Sequence, residues 1–167
     1  MAMKLKTADL SDAYNDILQY AEPIFRDYGG RKTFGGRITT VKCHEDNVLV
    51  KTALSEPGDS RVLVVDAGGS LRRGMLGDNL AEMASKNGWS GIIMYGCIRD
   101  SEDIAKIDVG VKALGTMPLK SIKKGQGDRD IIVKFAGATF RPGDYLYADV
   151  DGIVVSPKEL CLPPPKL

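Results

Sequence analysis

Two short glycine-punctuated stretches carry the residue types that could do chemistry. Gly77-Asp78-Asn79-Leu80 stands where a helical pattern begins. Several backbone N–H groups lack intrahelical partners at such a point, and their dipoles favour an anion. A carboxylate or phosphate would fit there, and Gly77 with the flanking Gly74 would let the backbone approach it closely. The plainer reading of the same residues is a helix start capped by Asp78 or Asn79. The second stretch is Gly96-Cys97-Ile98-Arg99-Asp100. Arg99 offers a planar fork that matches a carboxylate bidentately. Asp100 offers a hard oxygen ligand suited to Mg²⁺ or Mn²⁺. In a turn the two side chains can face one cleft. As an isolated dipeptide they are more commonly a surface Arg–Asp pair, and on either reading Asp100 is a solvent-facing turn residue that carries little packing.

The elements that must position these turns are legible on either side. Arg61 to Asp66 is a continuous apolar run of strand length, and Gly91 to Tyr95 is another; such runs suit strands buried on both faces. Between them Leu76 to Lys86 has helical spacing, with Leu80, Met83 and Ala84 on one face and Asn87-Gly88 as a stop. Strand, helix and strand in this order predict a crossover between parallel strands. Upstream, Leu10, Ala13, Tyr14, Ile17, Leu18 and Ala21 predict a first helix capped by Thr7 or Asp9 and limited by Pro23. Arg37 to Cys43 reads as a strand and Val48 to Leu54 as a short helix. Ser101 to Asp103 begin a single helical turn. Ile107 to Leu114, Ile131 to Phe135, Tyr145 to Ala148 and Ile153 to Val155 are further strands. The first helix and the Pro163-Pro164-Pro165 tail look like surfaces completed by neighbouring subunits.

With 167 residues, 43% hydrophobic and 27% charged, the chain reads as one domain spanning 1–167, with no internal repeat or linker. The formal net charge is +1, and Arg72-Arg73 and Lys123-Lys124 are only pairs. That weak footprint argues against direct nucleic-acid binding. Cys43, Cys97 and Cys161 are an odd number without CxxC spacing, which argues against a disulfide framework or a zinc site and fits a reducing, cytoplasmic location. The start, Met-Ala-Met-Lys-Leu-Lys-Thr, lacks a leader's apolar core, and no run is long enough to span a membrane. His44, the one histidine, sits at an ordinary strand end, and Cys97 reads as a small packing residue rather than a nucleophile.

Taken together, G-G-S-L-R-R-G-M-L-G-D-N-L-A, G-I-I-M-Y-G-C-I-R-D, I-D-V-G-V-K-A-L-G-T-M-P and P-G-D-Y-L-Y-A-D-V-D-G-I-V-V resemble one family over nearly the whole chain. It is the family of the regulator of ribonuclease E activity, which also contains class II 4-hydroxy-4-methyl-2-oxoglutarate aldolases with oxaloacetate decarboxylase activity. The resemblance implies an α/β fold, compact and β-rich, of the swivelling-domain (β/β/α) kind, assembled as a homotrimer or dimer of trimers. It implies that the backbone of Gly77, Asp78, Asn79 and Leu80 and the side chain of Arg99 hold the carboxylate of an α-keto acid. It makes Asp100 the protein's direct ligand to a divalent cation, Mg²⁺ or Mn²⁺, and gives Asp78 a proton-delivering water to hold.

The same resemblance implies a metal-dependent lyase working through the enolate of pyruvate, by decarboxylation of oxaloacetate, retro-aldol cleavage of 4-hydroxy-4-methyl-2-oxoglutarate, or both. Family members that only regulate the ribonuclease tend to lack the acid after the arginine, whereas this chain has Asp100. Dedicated aldolases carry a further C-terminal acid that reaches a neighbouring site; Glu159 is not matched to that role, so decarboxylation is the firmer expectation. The aldol base is not identified in the sequence. The alternatives are a non-catalytic protein that binds ribonuclease E or a helicase, and a purely structural trimer.

Overall fold

The computed structural model describes residues 4–166. Met1–Met3 and Leu167, and with them the two ends of the 1–167 domain reading and the first residues of the leader reading, lie outside the described residues. In chain order the elements are α1 (Thr7–Tyr14), β1 (Gln19–Tyr20), β2 (Arg26–Asp27), β3 (Phe34–Lys42), α2 (Val48–Leu54), β4 (Val62–Asp66), α3 (Asp78–Lys86), β5 (Gly91–Ile98), α4 (Ser101–Ile104), β6 (Gly110–Thr116), β7 (Asp128–Arg129), β8 (Val133–Phe135), β9 (Ala138–Phe140), β10 (Tyr145–Asp149) and β11 (Gly152–Ser156). They form a single α/β domain around a mixed sheet ordered β1-β11-β10-β3-β4-β5-β6-β2, with β7 paired to β3; β8 and β9 form a separate hairpin. Strands β3, β4, β5 and β6 run parallel, and the outer pairings are antiparallel.

Strand β4 shows why the apolar runs sit at the centre. All five of its residues are buried. Leu63 and Val65 face one cluster with Ile92 and Met94 of β5, Val50 and Leu54 of α2 and Ala81 and Ala84 of α3. Val62 and Val64 face the other, with Ile93, Phe135 and Phe140 of the hairpin and Leu146 and Ala148 of β10. A strand covered by helices on one side and β-structure on the other needs apolar residues at every position rather than alternate ones. The β4–α3–β5 crossover joins parallel neighbours in register, Val62 opposite Gly91 and Asp66 opposite Tyr95.

The first helix is shorter than its spacing predicts. It ends at Tyr14, because Gln19 and Tyr20 are drawn into the sheet opposite Val155 and Val154. The Gln19 amide also bonds the Thr139 backbone in both directions, at 3.0 and 2.9 Å. Neither Thr7 nor Asp9 caps α1. Instead Asp149 accepts the Thr7 N–H and the Thr7 hydroxyl at 2.8 and 2.7 Å, a cap supplied from across the chain. The apolar face of α1 and the tail partly complete each other: Leu10 shares a buried cluster with Leu18, Tyr147, Val154 and Leu160, and Leu162 packs against it. The strand expected at 107–114 begins at Gly110 and ends at Thr116. The short β1, β2, β7 and β9 carry too little pattern to be read locally.

Candidate active site

The connection from β4 to α3 brings the two turns together. After Asp66 the chain crosses to the end of β5 and pairs beside it: the Met75 N–H donates to the Cys97 carbonyl and the Arg99 N–H to the Leu76 carbonyl, both at 2.8 Å. Gly74 bridges to Cys97 on one side and Lys120 on the other. This pairing delivers Gly77 to Asp100. A Cβ on Gly77 would stand 2.8 Å from Asp100 Oδ2, and one on Gly74 would stand 2.6 Å from the Met117 carbonyl oxygen and 3.0 Å from the Arg99 side chain. Both glycines are therefore needed for close approach within the chain: Gly77 meets Asp100 of the second turn, and Gly74 meets the Met117 carbonyl as well as Arg99.

The helix start differs from its plain reading. Neither Asp78 nor Asn79 caps α3 from the N-cap position, which Gly77 occupies. Asp100 Oδ2 accepts the Asp78 N–H at 3.1 Å, and Asp78 Oδ1 accepts the Asn79 N–H at 2.8 Å. Two carboxylates thus already sit on the positive end of α3, as its dipole favours. A substrate carboxylate using these N–H groups must displace them. Asp100 is accordingly not a free surface residue. It holds the left-handed conformation (φ 54, ψ 41) that starts α4, and its side chain is 30% exposed. Arg99 Nε lies 3.8 Å from the same Oδ2, with the Arg99 side chain 36% exposed. Both contacts engage Oδ2 and neither engages Oδ1.

Gly77, Asp78, Asn79, Leu80, Arg99 and Asp100 all line one cleft of about 390 Å³. It lies beyond the C-terminal ends of parallel strands, where open α/β sheets hold ligands. The rest of the lining includes Asn47, Lys51, Lys120, Ser121 and Lys123, which the sequence reading missed. They come from the turn after β3, from α2 and from the loop after β6, and no local pattern marks them.

A resident divalent cation fits this donor set in one form. Among the described residues no three His, Cys, Asp or Glu side chains group to enclose a metal. A hard cation held by one carboxylate, with water and substrate oxygens completing its shell, agrees with Asp100 and its uncommitted Oδ1. His44 does not line the cleft; its side chain is 61% exposed, 3.9 Å from Glu45. Burial pushes the Cys97 thiol up. Burial, with Asp46 and Asp66 adding to it, pushes Cys43 up to about 12. Neither buried thiol is an activated nucleophile. No helix among the described residues is long and apolar enough to cross a membrane.

Comparison with known proteins agrees with this architecture and gives it more than one name. A protein of Ectopseudomonas mendocina (strain ymp), provisionally named 4-hydroxy-4-methyl-2-oxoglutarate aldolase, is 59% identical over 157 residues, covering 94% of this chain and 97% of its own. A crystal structure from Geobacillus kaustophilus HTA426, titled S-adenosylmethionine: 2-dimethylmenaquinone methyltransferase, is 51% identical with a TM-score of 0.90, covering 93% of this chain and 97% of its own. The structure titled RNA-processing inhibitor RraA from Thermus thermophilis is 40% identical with a TM-score of 0.92, covering 96% and 98%. One fold carries all three names, so fold alone does not assign the activity. The family model described as RraA-like, Aldolase/RraA, matches residues 7–155, and with relatives this similar over nearly their full length the chain belongs to that family.

Proposed function

We propose that this chain is a carbon–carbon lyase, dependent on Mg²⁺ or Mn²⁺, that acts on α-keto acids through the enolate of pyruvate. Its reactions would be oxaloacetate decarboxylation, retro-aldol cleavage of 4-hydroxy-4-methyl-2-oxoglutarate, or both. The observation that carries this reading is the convergence of Arg99, Asp100 and the N-terminus of α3 in one cleft. The aldolase name carried by relatives above half identity supports it. Arg99 binds the α-keto-acid carboxylate through its fork, and the first-turn N–H groups of α3 share that carboxylate once it displaces Asp100 and Asp78 from them. Asp100 would hold the cation, which when bound supplies a Lewis acid for the charge that develops on the keto oxygen. Asp78, at the mouth of α3, holds the water that returns a proton to the substrate carbon. The test is pyruvate release from both substrates, assayed side by side with and without EDTA. Release abolished by EDTA and restored by Mg²⁺ or Mn²⁺ is expected; no release from either substrate with metal present refutes the lyase.

A homotrimer or dimer of trimers, located in the cytosol, is part of the same proposal. Exposed Leu71 and Leu119, 60% and 49% accessible on the segments flanking the cleft, support assembly there. Free Cys43, Cys97 and Cys161 support a reducing compartment. Light scattering at micromolar concentration should give a multiple of three chains, and a monomer would refute the assembly. The RNA-processing inhibitor at 40% identity favours a second reading, binding and inhibition of ribonuclease E or a helicase. That reading needs neither metal nor Asp100, so inhibition that survives EDTA would support it.

A further inference from the structure

Part of the cleft lining is assembled from segments distant in sequence, and one carboxylate fastens them. Asp46, in the turn after β3, is 2% exposed. Its Oδ1 accepts the N–H of Val48, the first residue of α2, at 3.1 Å. Its Oδ2 accepts the N–H groups of Lys124 and Gln126 at 2.9 and 3.1 Å. No basic side chain pairs with it among the described residues. The backbone continues the tie, Ile122 N–H to the Glu45 carbonyl at 2.7 Å and Asn47 N–H to the Ile122 carbonyl at 3.3 Å. A buried carboxylate without a counter-charge is costly unless its lone pairs are filled. Only an acceptor-only group can take three N–H donors; an amide would turn its own donors against them.

What this clamp delivers to the cleft is Ser121 and Lys123. Ser121 is 5% exposed, lines the cleft, and its Oγ has no hydrogen-bond partner among the described residues. That oxygen is itself closed off, so Ser121 contributes wall to the cleft rather than a ligand contact. Lys123 Nζ donates to Asn47 Oδ1 at 2.7 Å, and Asn47 Nδ2 is itself held by the Met75 carbonyl at 3.1 Å. The ammonium is thereby steadied with two further donors unspent.

We infer that Asp46 is a positioning residue. Its carboxylate fixes the 117–127 loop so that Lys123 Nζ meets the end of a dicarboxylic keto acid that Arg99 does not hold. The identity of that ligand rests on the lyase reading; the clamp does not. Pyruvate has only the carboxylate assigned to Arg99, so the two ends of the cleft can be measured separately.

The experiment compares wild type with Asp46→Asn and Lys123→Met. Asp46→Asn should raise KM for oxaloacetate about tenfold, the value of one charge-assisted hydrogen bond, and leave the pyruvate inhibition constant within about twofold of wild type. Lys123→Met should give the same split. The double variant should be no worse than the poorer single, because both changes undo one contact. Hydrogen exchange at the Lys124 and Gln126 amides, which needs no turnover, should quicken in Asp46→Asn. Unchanged exchange overturns the clamp, and unchanged KM or an equal loss of pyruvate inhibition overturns its role at the far end of the substrate. A wild type that binds pyruvate but does not turn over oxaloacetate overturns the ligand assignment and the lyase reading, while exchange still decides the clamp. Should Asp46→Asn fail to fold, Asp46→Ser, which keeps one acceptor, replaces it in every arm.

Discussion

Replacing Asp100 separates its structural contact from its proposed metal contact. Asp100→Ala removes the acceptor of the Asp78 N–H, 3.1 Å away, and puts a side chain without a polar atom at φ 54. Losing a helix-start acceptor costs about 1 kcal/mol. Holding alanine in the left-handed region, which aspartate and asparagine tolerate, costs roughly 1 kcal/mol more. The sum, about 2 kcal/mol, corresponds to a fall in Tm of about 4–8 °C for a chain of this size. Asp100→Asn keeps an amide oxygen for the Asp78 N–H and a residue at ease with positive φ, so its Tm should fall by about 2 °C or less. Its neutral oxygen is nonetheless a poor ligand for a hard cation. Both variants should lose metal-dependent pyruvate release, but Asp100→Ala should lose clearly more stability than Asp100→Asn. The assay is thermal unfolding at fixed protein concentration, since assembly shifts Tm, with oxaloacetate turnover across a Mg²⁺ titration. Equal Tm values for the two variants would refute the capping argument. Full activity in Asp100→Asn at the wild-type Mg²⁺ requirement would remove Asp100 from the metal site.

Arg99→Lys keeps the charge and loses the fork, so kcat/KM should fall roughly thirtyfold, about 2 kcal/mol. Pyruvate should inhibit it far more weakly than wild type, and equal inhibition constants would mean that Arg99 does not hold the carboxylate. Acid should destabilise the fold: Arg72 holds Glu45, Arg129 holds Glu56 and Arg31 holds Asp108 below the usual carboxylate range. Burial pushes Asp46 upward, but backbone N–H bonds led by Val48 outweigh it and hold this carboxyl low as well. A depressed folded value contributes stability that is present above the unfolded value and lost as pH falls through the folded one. Tm should therefore be level from pH 7 to about 5 and drop below about 4. The drop should be shallower in Asp46→Asn, and a Tm that holds to pH 2.5 would refute the assignment.

The sequence by itself determined the layered core and the ingredients of the cleft. The runs Val62 to Val65 and Ile92 to Met94 read as central strands, because they are short, continuously apolar and rich in β-branched residues, whereas a half-exposed strand would alternate. Leu80, Met83 and Ala84 marked α3, and Arg99 and Asp100 carried their chemistry in their side-chain types. The sequence pattern could not say that Asp100 caps α3, because that contact depends on Gly74 to Leu76 pairing with the end of β5, a long-range hydrogen-bond choice with no local signature. Nor could it say where α1 stops: Ile17 and Leu18 keep the helical period, and only the sheet edge at Val154 and Val155 pulls Gln19 and Tyr20 out of it. Asn47, Ser121 and Lys123 reach the cleft for the same kind of reason. Their neighbours in sequence are turns of ordinary composition, and it is the buried carboxylate of Asp46, filling its lone pairs from two distant segments, that decides what they face.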